Sequence, residues 1–177
     1  MIAAVVLAAG AGTRFGGPKQ RLLLPHVLAG LEDAPVDEVV VVTGAHPLEV
    51  AGARVVHAPE WALGRGASLR SGLRALTADT EAAVVCLADG PNVAAETVAR
   101  VIRAWRAGGG NVVAASYGGR RGHPVLLARA AWARVPDEGA RSLPAALVPC
   151  DDLGTPGDVD TADDLERWRS TSTHPPR

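Results

Sequence analysis

The residues best suited to chemistry lie in a glycine-rich segment near the amino terminus, residues 10–20, which also contains the two cations Arg14 and Lys19. Because glycine has no side chain, backbone N–H groups in such a segment can approach phosphate oxygens closely. Arg14 and Lys19 would place positive charge beside a bound phosphate. Lys19 is the single lysine of the chain, which favours a specific use for a compact ammonium group here. The segment predicts a phosphate-binding loop.

Two common phosphate-binding motifs are excluded by the residues themselves. The dinucleotide fingerprint needs a third glycine where this chain has Phe15, and an acidic residue where it has Thr43-Gly44. The P-loop needs Gly-Lys followed by Ser or Thr, but the sequence reads Gly17-Pro18-Lys19-Gln20. The alternative without a ligand is a flexible glycine turn with solvated charges.

Three carboxylates, those of Asp89, Asp158 and Asp160, are candidates for a metal site. Asp89 follows an apolar run at residues 82–87, which places it at the carboxyl end of a predicted strand. Carboxylates from two distant segments, together with phosphate oxygens and water, form the oxygen shell that Mg²⁺ prefers. Two alternatives stay open: Asp89 could cap a helix, and Asp158 and Asp160 could belong to a solvated acidic face.

A second glycine-rich turn, residues 117–124, contains Arg120, Arg121 and His123. Such a turn can bind the anionic phosphate of a second substrate, and the alternative is a hairpin loop with solvated arginines. Gly66 and Ser68 fall near a predicted helix start, where backbone N–H groups can bind an anion. The alternative for Ser68 is ordinary helix capping.

The elements that must position these residues are predicted from apolar runs and helical periodicity. Continuous apolar runs bounded by glycine or polar residues are typical of strands buried on both faces. We expect strands at Ile2–Ala8, 39–43 and 82–87, shorter ones at 54–57, 112–116, 124–127 and 146–148, and helices at 67–76 and 93–106. A capping box at 161–164 begins a last helix through Trp168.

The alternation of strands and helices predicts a three-layer, Rossmann-like α/β fold whose mostly parallel central sheet has helices on both faces. We expect one domain over residues 1–169, followed by a disordered tail at 170–177. A net charge of −1 and an aromatic content of 3% argue against nucleic-acid binding. Free thiols at Cys86 and Cys150, without a leader or an apolar span, predict a cytoplasmic protein with no membrane partner.

Several of these segments resemble the signature motifs of the MobA-like nucleotidyltransferases, and are most similar to those of the molybdenum cofactor cytidylyltransferases within that family. The segments are Leu7-Ala8-Ala9-Gly10, Gly12-Thr13-Arg14-Phe15-Gly16, Lys19 followed by Leu22-Leu23-Leu24-Pro25, His57-Ala58-Pro59-Glu60-Trp61, Leu87-Ala88-Asp89-Gly90-Pro91, Gly122-His123-Pro124 and residues 158–164. They occur in the family order and span nearly the whole chain.

The resemblance implies transfer of a nucleoside monophosphate, CMP from CTP, to a phosphate-bearing acceptor, a molybdopterin cofactor, with release of pyrophosphate. It implies Mg²⁺ as the cofactor, with Mn²⁺ as a substitute, held by Asp89 and Asp160. It assigns catalysis to Lys19, Arg14 and Asp89, and acceptor binding to Gly122, His123 and Pro124. The nucleotide-binding residues that it implies are Leu7, Ala8, Ala9, Gly10, Gly12, Arg14, Lys19, Gly66 and Ser68. Transient contact with molybdoenzymes or their chaperones is a further expectation.

Other functions remain open at this point. A sister transferase would use GTP with molybdopterin, or CTP with a sugar or polyol phosphate, and a nucleotide-binding carrier would release no pyrophosphate. The chain also departs from the family pattern. A Gly-x-Pro turn usually found in the family is missing after Pro25, and Gly90 replaces a larger residue. A third departure is that Asp158 follows Gly157 instead of a β-branched residue or leucine. The missing turn affects the adjacent acceptor pocket.

Overall fold

Seven strands form one sheet in the computed structural model, which describes residues 1–171 of the chain. The strands are β1 (Ile2–Ala8), β2 (Glu38–Thr43), β3 (Arg54–His57), β4 (Ala82–Leu87), β5 (Val112–Tyr117), β6 (Arg120–Ala128) and β7 (Ala146–Pro149). Their order across the sheet is β3-β2-β1-β4-β6-β5-β7. Only β6 runs antiparallel to its neighbours, β4 and β5, among these seven strands. The predicted mostly parallel sheet is confirmed.

Four α-helices flank the sheet: α1 (Gln20–Leu31), α2 (Arg65–Ala75), α3 (Ala95–Arg106) and α4 (Ala162–Thr171). Alternate residues of β1 face opposite sides, as the pleat of a strand requires. Ala4 and Val6 pack in one core with residues of α1 and α3, while Ala3 and Val5 pack in the other with residues of α2. The three-layer arrangement therefore follows from a central strand that is apolar on both faces.

The amino-terminal helix was not among the predicted helices. α1 begins at Gln20, directly after Lys19, and continues through Pro25, in agreement with the absence of the family's Gly-x-Pro turn from the sequence. Arg21, whose carbonyl loses its partner because proline has no N–H, is exposed, and so is Pro25. Proline is tolerated here because it lies on the solvent side, while Leu23, Leu24 and Val27 are buried.

Most other differences concern the ends of elements. α2 begins two residues earlier than predicted, α3 begins two residues later, and β6 begins at Arg120 instead of residue 124. Ser170 and Thr171, assigned to the tail, belong to the last turn of α4. The rest of the predicted tail, 172–177, lies outside the described residues. No helix within residues 1–171 is long and apolar enough to cross a membrane.

Candidate active site

A cavity of about 300 Å³ opens at the carboxyl ends of β1 and β4, where ligands bind in open α/β sheets. The glycine-rich loop forms one wall and the beginning of α2 forms another. The predicted nucleotide-binding residues that line the cavity are Leu7, Ala9, Gly10, Gly12, Arg14, Lys19 and Ser68. Asp89 and Asp160 reach the same cavity. The structure thus brings the predicted phosphate-binding and metal-binding residues together.

The glycine-rich loop is a tight turn built around Gly12. Its carbonyl accepts hydrogen bonds from the N–H groups of Phe15, Gly16 and Gly17. Gly12 has a φ of 66°, and a Cβ atom there would lie 2.1 Å from the carbonyl oxygen of Gly17. Only glycine fits this position without rearrangement of the backbone. Gly10 and Gly12 both line the cavity without a side chain, as the phosphate-loop prediction requires.

Lys19 lies between two of the predicted metal ligands. Its Nζ atom donates to Asp89 Oδ2 at 3.1 Å, to Asp160 Oδ1 at 2.8 Å and to the Val159 carbonyl at 2.7 Å. Arg14 Nη1 lies 2.8 Å from the second oxygen of Asp160, Oδ2. Lys19 is only 7% exposed, so the alternative of a solvated charge does not apply to it. The two predicted phosphate cations are therefore paired with carboxylates.

Asp89, Asp158 and Asp160 form one cluster, in which one carboxylate oxygen from each lies within 4.8 Å of the others. Oxygen donors this close can share a single divalent cation. The neighbouring elements exclude the alternative of a helix cap for Asp89, because the N-cap of α3 is Ala94. The alternative of a solvated acidic face does not apply to Asp160, which is paired with Lys19 and Arg14, but stays open for Asp158, which is exposed. The residues present fit a magnesium or manganese ion.

The segment that carries Asp158 and Asp160 is fixed through the residue between them. Val159 is 2% exposed and packs with Leu23 and Leu165. Its N–H donates to the Asp89 carbonyl at 3.0 Å, and its own carbonyl accepts from Lys19. Asp158 and Asp160 flank a buried valine in a short extended stretch. Burial of one apolar side chain thus helps to hold both acids near Asp89.

The predicted capping box at the start of α4 is present and also holds Asp160. Thr161 N–H donates to Asp164 Oδ2 at 2.8 Å, and Asp164 N–H donates to Thr161 Oγ1 at 3.2 Å. The same Asp164 oxygen accepts from the Asp160 N–H at 3.1 Å. Asp164 therefore positions the backbone of Asp160, a role that the sequence analysis did not assign to it.

Two members of the carboxylate cluster have pKa values displaced in opposite directions. The hydrogen bond from Lys19, with the charges of Lys19 and Arg14, lowers the pKa of Asp160. Burial, together with the charges of Asp89 and Asp160, raises the pKa of Asp158. Asp160 is therefore stabilised as an anion by neighbouring cations, while Asp158 lacks such a partner among the described residues. A divalent cation would supply the missing positive charge.

A second cavity, of about 450 Å³, lies on the other side of the carboxylate cluster. Gly122, His123 and Pro124 line it, as does Asp158. It shares Leu87 with the first cavity, whose lining includes Asp89 and Asp160. The cluster thus lies at the boundary between the predicted nucleotide and acceptor sites.

The two arginines of the second glycine-rich turn have different environments. Gly118 and Gly119, with φ values of 57° and 72°, form the hairpin turn between β5 and β6. Arg120 is exposed and lines the second cavity. Arg121 donates to the carbonyl groups of Ala140 and Leu143 instead. Arg121 also lines the second cavity, but both of its Nη atoms are bonded to these carbonyl groups, so Arg120 is the more accessible candidate phosphate ligand of the pair.

His123 is neutral in this environment. Burial lowers its pKa to about 4, because the buried ring loses the hydration that a charged imidazolium needs. Nearby arginines add to this effect, and Asp89 opposes it. With a pKa this low the ring is a weak base, and its role in binding the acceptor stays a prediction.

Two predicted nucleotide-binding residues do not line the first cavity. Ala8 is 3% exposed and belongs to the core. Gly66 packs against the loop at residues 136–137, and its N–H donates to the Asp137 carbonyl at 2.9 Å. Since this N–H already has a partner, it is not free for an anion. Ser68 is 4% exposed and does line the cavity, and α2 has no side-chain cap.

The lining residues of the first cavity to which the sequence analysis gave no role include Gln20, Trp61 and Arg65. Trp61 belongs to a recognised motif but was given no role. Arg65 was missed because α2 was predicted to begin at residue 67, which left Arg65 in a loop. Gln20 Nε2 donates to the Gly10 carbonyl at 2.8 Å, and this contact between the loop and α1 leaves no periodic signal in the sequence.

A glycine-rich loop, paired cations and clustered carboxylates at the carboxyl edge of a parallel sheet are an arrangement that can bind a nucleotide with a divalent cation. The chain belongs to the family of the MobA-like NTP transferase domain, whose model matches residues 4–149. It is therefore a member of a nucleotidyltransferase family, as the motifs predicted. No curated protein matches the chain in sequence.

Solved structures similar to the chain agree with this family. The crystal structure of Rv0371c from Mycobacterium tuberculosis is 28% identical, with a TM-score of 0.80 over 96% of this chain and 98% of that chain. A complex of Rv0371c with manganese is 27% identical, with a TM-score of 0.77 over 97% and 99% of the two chains. A nucleotidyl transferase from Methanothermobacter shares the fold at 24% identity, with a TM-score of 0.74 over 96% of each chain.

Proposed function

We propose that the protein transfers CMP from CTP to a phosphate-bearing acceptor, a molybdopterin cofactor, and releases pyrophosphate. The observation that carries the two-substrate transfer is the position of the carboxylate cluster between two cavities, while the resemblance of the motifs supports the choice of CTP and molybdopterin. One cavity has the glycine-rich loop and two cations, and the other has the Gly122-His123-Pro124 turn. A transferase with two substrates needs both sites to meet at the reacting phosphate.

The chain's own residues account for most of the chemistry. Asp89 and Asp160 would hold Mg²⁺ or Mn²⁺, with Asp158 as a third carboxylate on the acceptor side. The divalent cation would neutralise negative charge on the α-phosphate and on the departing pyrophosphate. Arg14 and Lys19 would contact the triphosphate, because both line the first cavity. The short glycine turn leaves room for the phosphates along that wall.

The transfer step needs no general base from the protein. A phosphate oxygen of the acceptor, already ionised at pH 7, attacks the α-phosphorus of CTP. The bond from that phosphorus to the bridging oxygen breaks, and pyrophosphate leaves with the electron pair. His123, which is neutral, would orient the acceptor, and Arg120 would contact its phosphate.

Pyrophosphate release tests this proposal directly. The purified protein is incubated with each of the four NTPs, with Mg²⁺ or Mn²⁺, and with molybdopterin or a polyol phosphate. We expect pyrophosphate with CTP and molybdopterin. The Asp89→Asn variant serves as the inactive control. Arg103→Gln removes an exposed ion pair with Glu96, and neither residue lines either cavity, so this variant serves as the active control.

The other outcomes separate the alternatives. Pyrophosphate with GTP, or with a polyol phosphate, would identify a sister transferase and contradict the proposed substrates. Nucleotide binding without pyrophosphate under every condition would identify a carrier and contradict the proposed reaction.

A further inference from the structure

The carboxylates that would bind the divalent cation already have cationic partners within the protein. Both oxygens of Asp160 are paired, one with Lys19 Nζ at 2.8 Å and the other with Arg14 Nη1 at 2.8 Å. Asp89 Oδ2 is also paired with Lys19, at 3.1 Å. A divalent cation bound by Asp89 and Asp160 would therefore use the same charges that now bind Lys19 and Arg14.

A divalent cation and the Lys19 ammonium group cannot both be favoured at this position. Oxygen ligands lie about 2.1 Å from Mg²⁺. An ammonium group that keeps its contacts with the same carboxylates would then lie only a few ångströms from the metal, and like charges this close destabilise one another. Because the side chain of Lys19 is 9% exposed, little solvent is present to screen the repulsion.

The displaced Lys19 and Arg14 side chains can bind new partners in the same cavity. Lys19 and Arg14 both line the cavity formed by the glycine-rich loop, where the triphosphate is expected. Triphosphate oxygens would replace the carboxylates as partners of the two cations. Binding of the metal alone or of the triphosphate alone breaks the ion pairs between these cations and carboxylates. When both bind, the cations pair with the triphosphate and the carboxylates pair with the metal.

We propose that Lys19 and Arg14 are exchangeable counter-ions of Asp89 and Asp160, so that the divalent cation and the triphosphate assist each other's binding by exchanging ion-pair partners. The inference rests on the proposed function, since it takes the first cavity as the triphosphate site. Lys19 is then a positioning residue for the metal as well as a phosphate ligand. The coupling is reciprocal: whatever factor the triphosphate adds to metal affinity, the metal adds to triphosphate affinity.

The single lysine of the chain makes the exchange directly observable. Protein labelled with ¹³C at lysine Cε gives one side-chain NMR signal, that of Lys19. We expect this signal to shift when Mg²⁺ alone is added, and to shift again when α,β-methylene-CTP is added. Arg103→Gln should give the same response. A Lys19 signal that does not change at saturating Mg²⁺ would contradict the exchange.

Metal affinity provides the second test. Mn²⁺ affinity is measured from the electron paramagnetic resonance signal of free Mn²⁺. Binding should become about tenfold tighter in Lys19→Met, because a competing positive charge is removed. Arg103→Met should bind Mn²⁺ like the parent. Unchanged or weaker binding in Lys19→Met would overturn the inference.

Thermal unfolding of Lys19→Met is needed to interpret its Mn²⁺ affinity. Removal of Lys19 leaves carboxylates that are 22% and 26% exposed without their ammonium partner, so Lys19→Met should unfold at a lower temperature than the parent. Mn²⁺ should then raise the unfolding temperature more in Lys19→Met than in the parent, which a purely structural role for Lys19 does not predict. If Lys19→Met does not fold, Lys19→Gln replaces it in both measurements.

Failure of this inference is distinct from failure of the proposed function. The Mg²⁺ and Mn²⁺ measurements involve no turnover, so they report the exchange even if no NTP yields pyrophosphate. Conversely, a protein that releases pyrophosphate but shows no response of Lys19 to Mg²⁺ keeps its proposed reaction and loses only the exchange.

Discussion

Asp89 contributes a carboxylate to the cluster from the end of β4, and its loss should affect turnover far more than folding. In Asp89→Asn the side chain keeps its shape but loses the charge that would hold the metal. We expect pyrophosphate release to fall by at least about a hundredfold, since metal stabilisation of the developing charge is lost. The unfolding temperature should stay within a few degrees of the parent.

Kinetics and calorimetry on the same preparation check the Asp89 prediction, with Arg103→Gln as the control. A variant that keeps most of the parental rate would show that Asp89 does not bind the catalytic metal.

Lys19 has a larger structural role than its loop position suggests. From the sequence, it is a polar residue of a cleft, whose removal costs little stability. The structure instead gives it three hydrogen bonds within a buried environment. We expect Lys19→Ala to lose turnover and also to lose about 1–3 kcal/mol of unfolding free energy, because buried polar groups lose their partner. Urea unfolding of both proteins measures this difference, and equal midpoints would contradict it.

His123 should make stability depend on pH between about 5 and 7. Burial lowers its pKa to about 4 in the folded protein, below its ordinary value of 6.5. Between these two values the unfolded chain binds more protons, so acid favours unfolding and stability falls as the pH is lowered. From pH 7 to pH 5 the loss attributable to His123 is at most about 2 kcal/mol.

The variant His123→Asn removes this contribution. Its unfolding free energy should change less than that of the parent between pH 7 and pH 5, as measured by urea unfolding at each pH. His26, whose pKa is also lowered by burial, is present in both proteins and acts as an internal control. Identical losses in the two proteins would show that His123 is solvated.

The sequence predicts much of the candidate site but not how its charges pair. Glycine spacing and cations point to the phosphate loop, and the end of an apolar run points to Asp89. The contacts of Lys19 with Asp89 and Asp160 depend on the tertiary fold, because these residues lie 70 and 141 positions away in the sequence. No local pattern encodes a contact of that length. Arg121 is a similar case, because its carbonyl partners lie in a separate loop.

One residue at the start of α4 both caps the helix and positions a candidate metal ligand. Asp164 binds the backbone N–H groups of both Asp160 and Thr161. In Asp164→Ala these contacts are lost, so Asp160 should be less well positioned and turnover should fall about tenfold, as for other supporting residues of metal sites. The unfolding temperature should also fall, because a helix cap is removed.

Asp163→Ala is the matched control for Asp164→Ala. It removes a carboxylate from the same helical turn, but the Asp163 side chain has no hydrogen-bond partner within residues 1–171. Steady-state kinetics should therefore separate the two variants. Equal losses of rate would mean that helix charge, and not the contact with Asp160, is responsible.

The ends of strands were predicted correctly where the strand is buried on both faces, and less well where polar residues begin the strand. β1 and β4 are apolar on both faces, so their limits match the predicted runs. β6 begins with Arg120, Arg121 and Gly122, which carry no strand pattern. Pairing with β5 across the glycine turn extends the strand to Arg120. α1 was missed because Pro25 interrupts its pattern, although solvent exposure permits proline there.

At the scale of the whole molecule, two cavities meet at one carboxylate cluster, and changes in one should leave the other intact. In Arg120→Gln the acceptor cavity loses its exposed cation. We expect the KM for the acceptor to rise about fivefold, which corresponds to the loss of about 1 kcal/mol of binding. The KM for CTP should not change.

For the neighbouring Arg121→Gln variant we expect the larger effect on stability. Because Arg121 bonds to carbonyl groups of the loop that follows β6, its loss should lower the unfolding temperature more than that of Arg120→Gln. Initial rates at varied acceptor concentration, with thermal unfolding of both variants, test the pair. A raised KM for CTP in Arg120→Gln would show that the cavities are not independent.

The reversed direction of β6 has a consequence for how such proteins can diverge. Because this strand runs against the others, its first residues, and not its last, reach the edge of the sheet where β1 and β4 end. The proposed acceptor side is therefore supplied by a surface hairpin whose tip can lengthen, shorten or change composition without altering β1, β4 or the glycine-rich loop. Changes in that hairpin would give proteins with new acceptors and an unchanged nucleotide site.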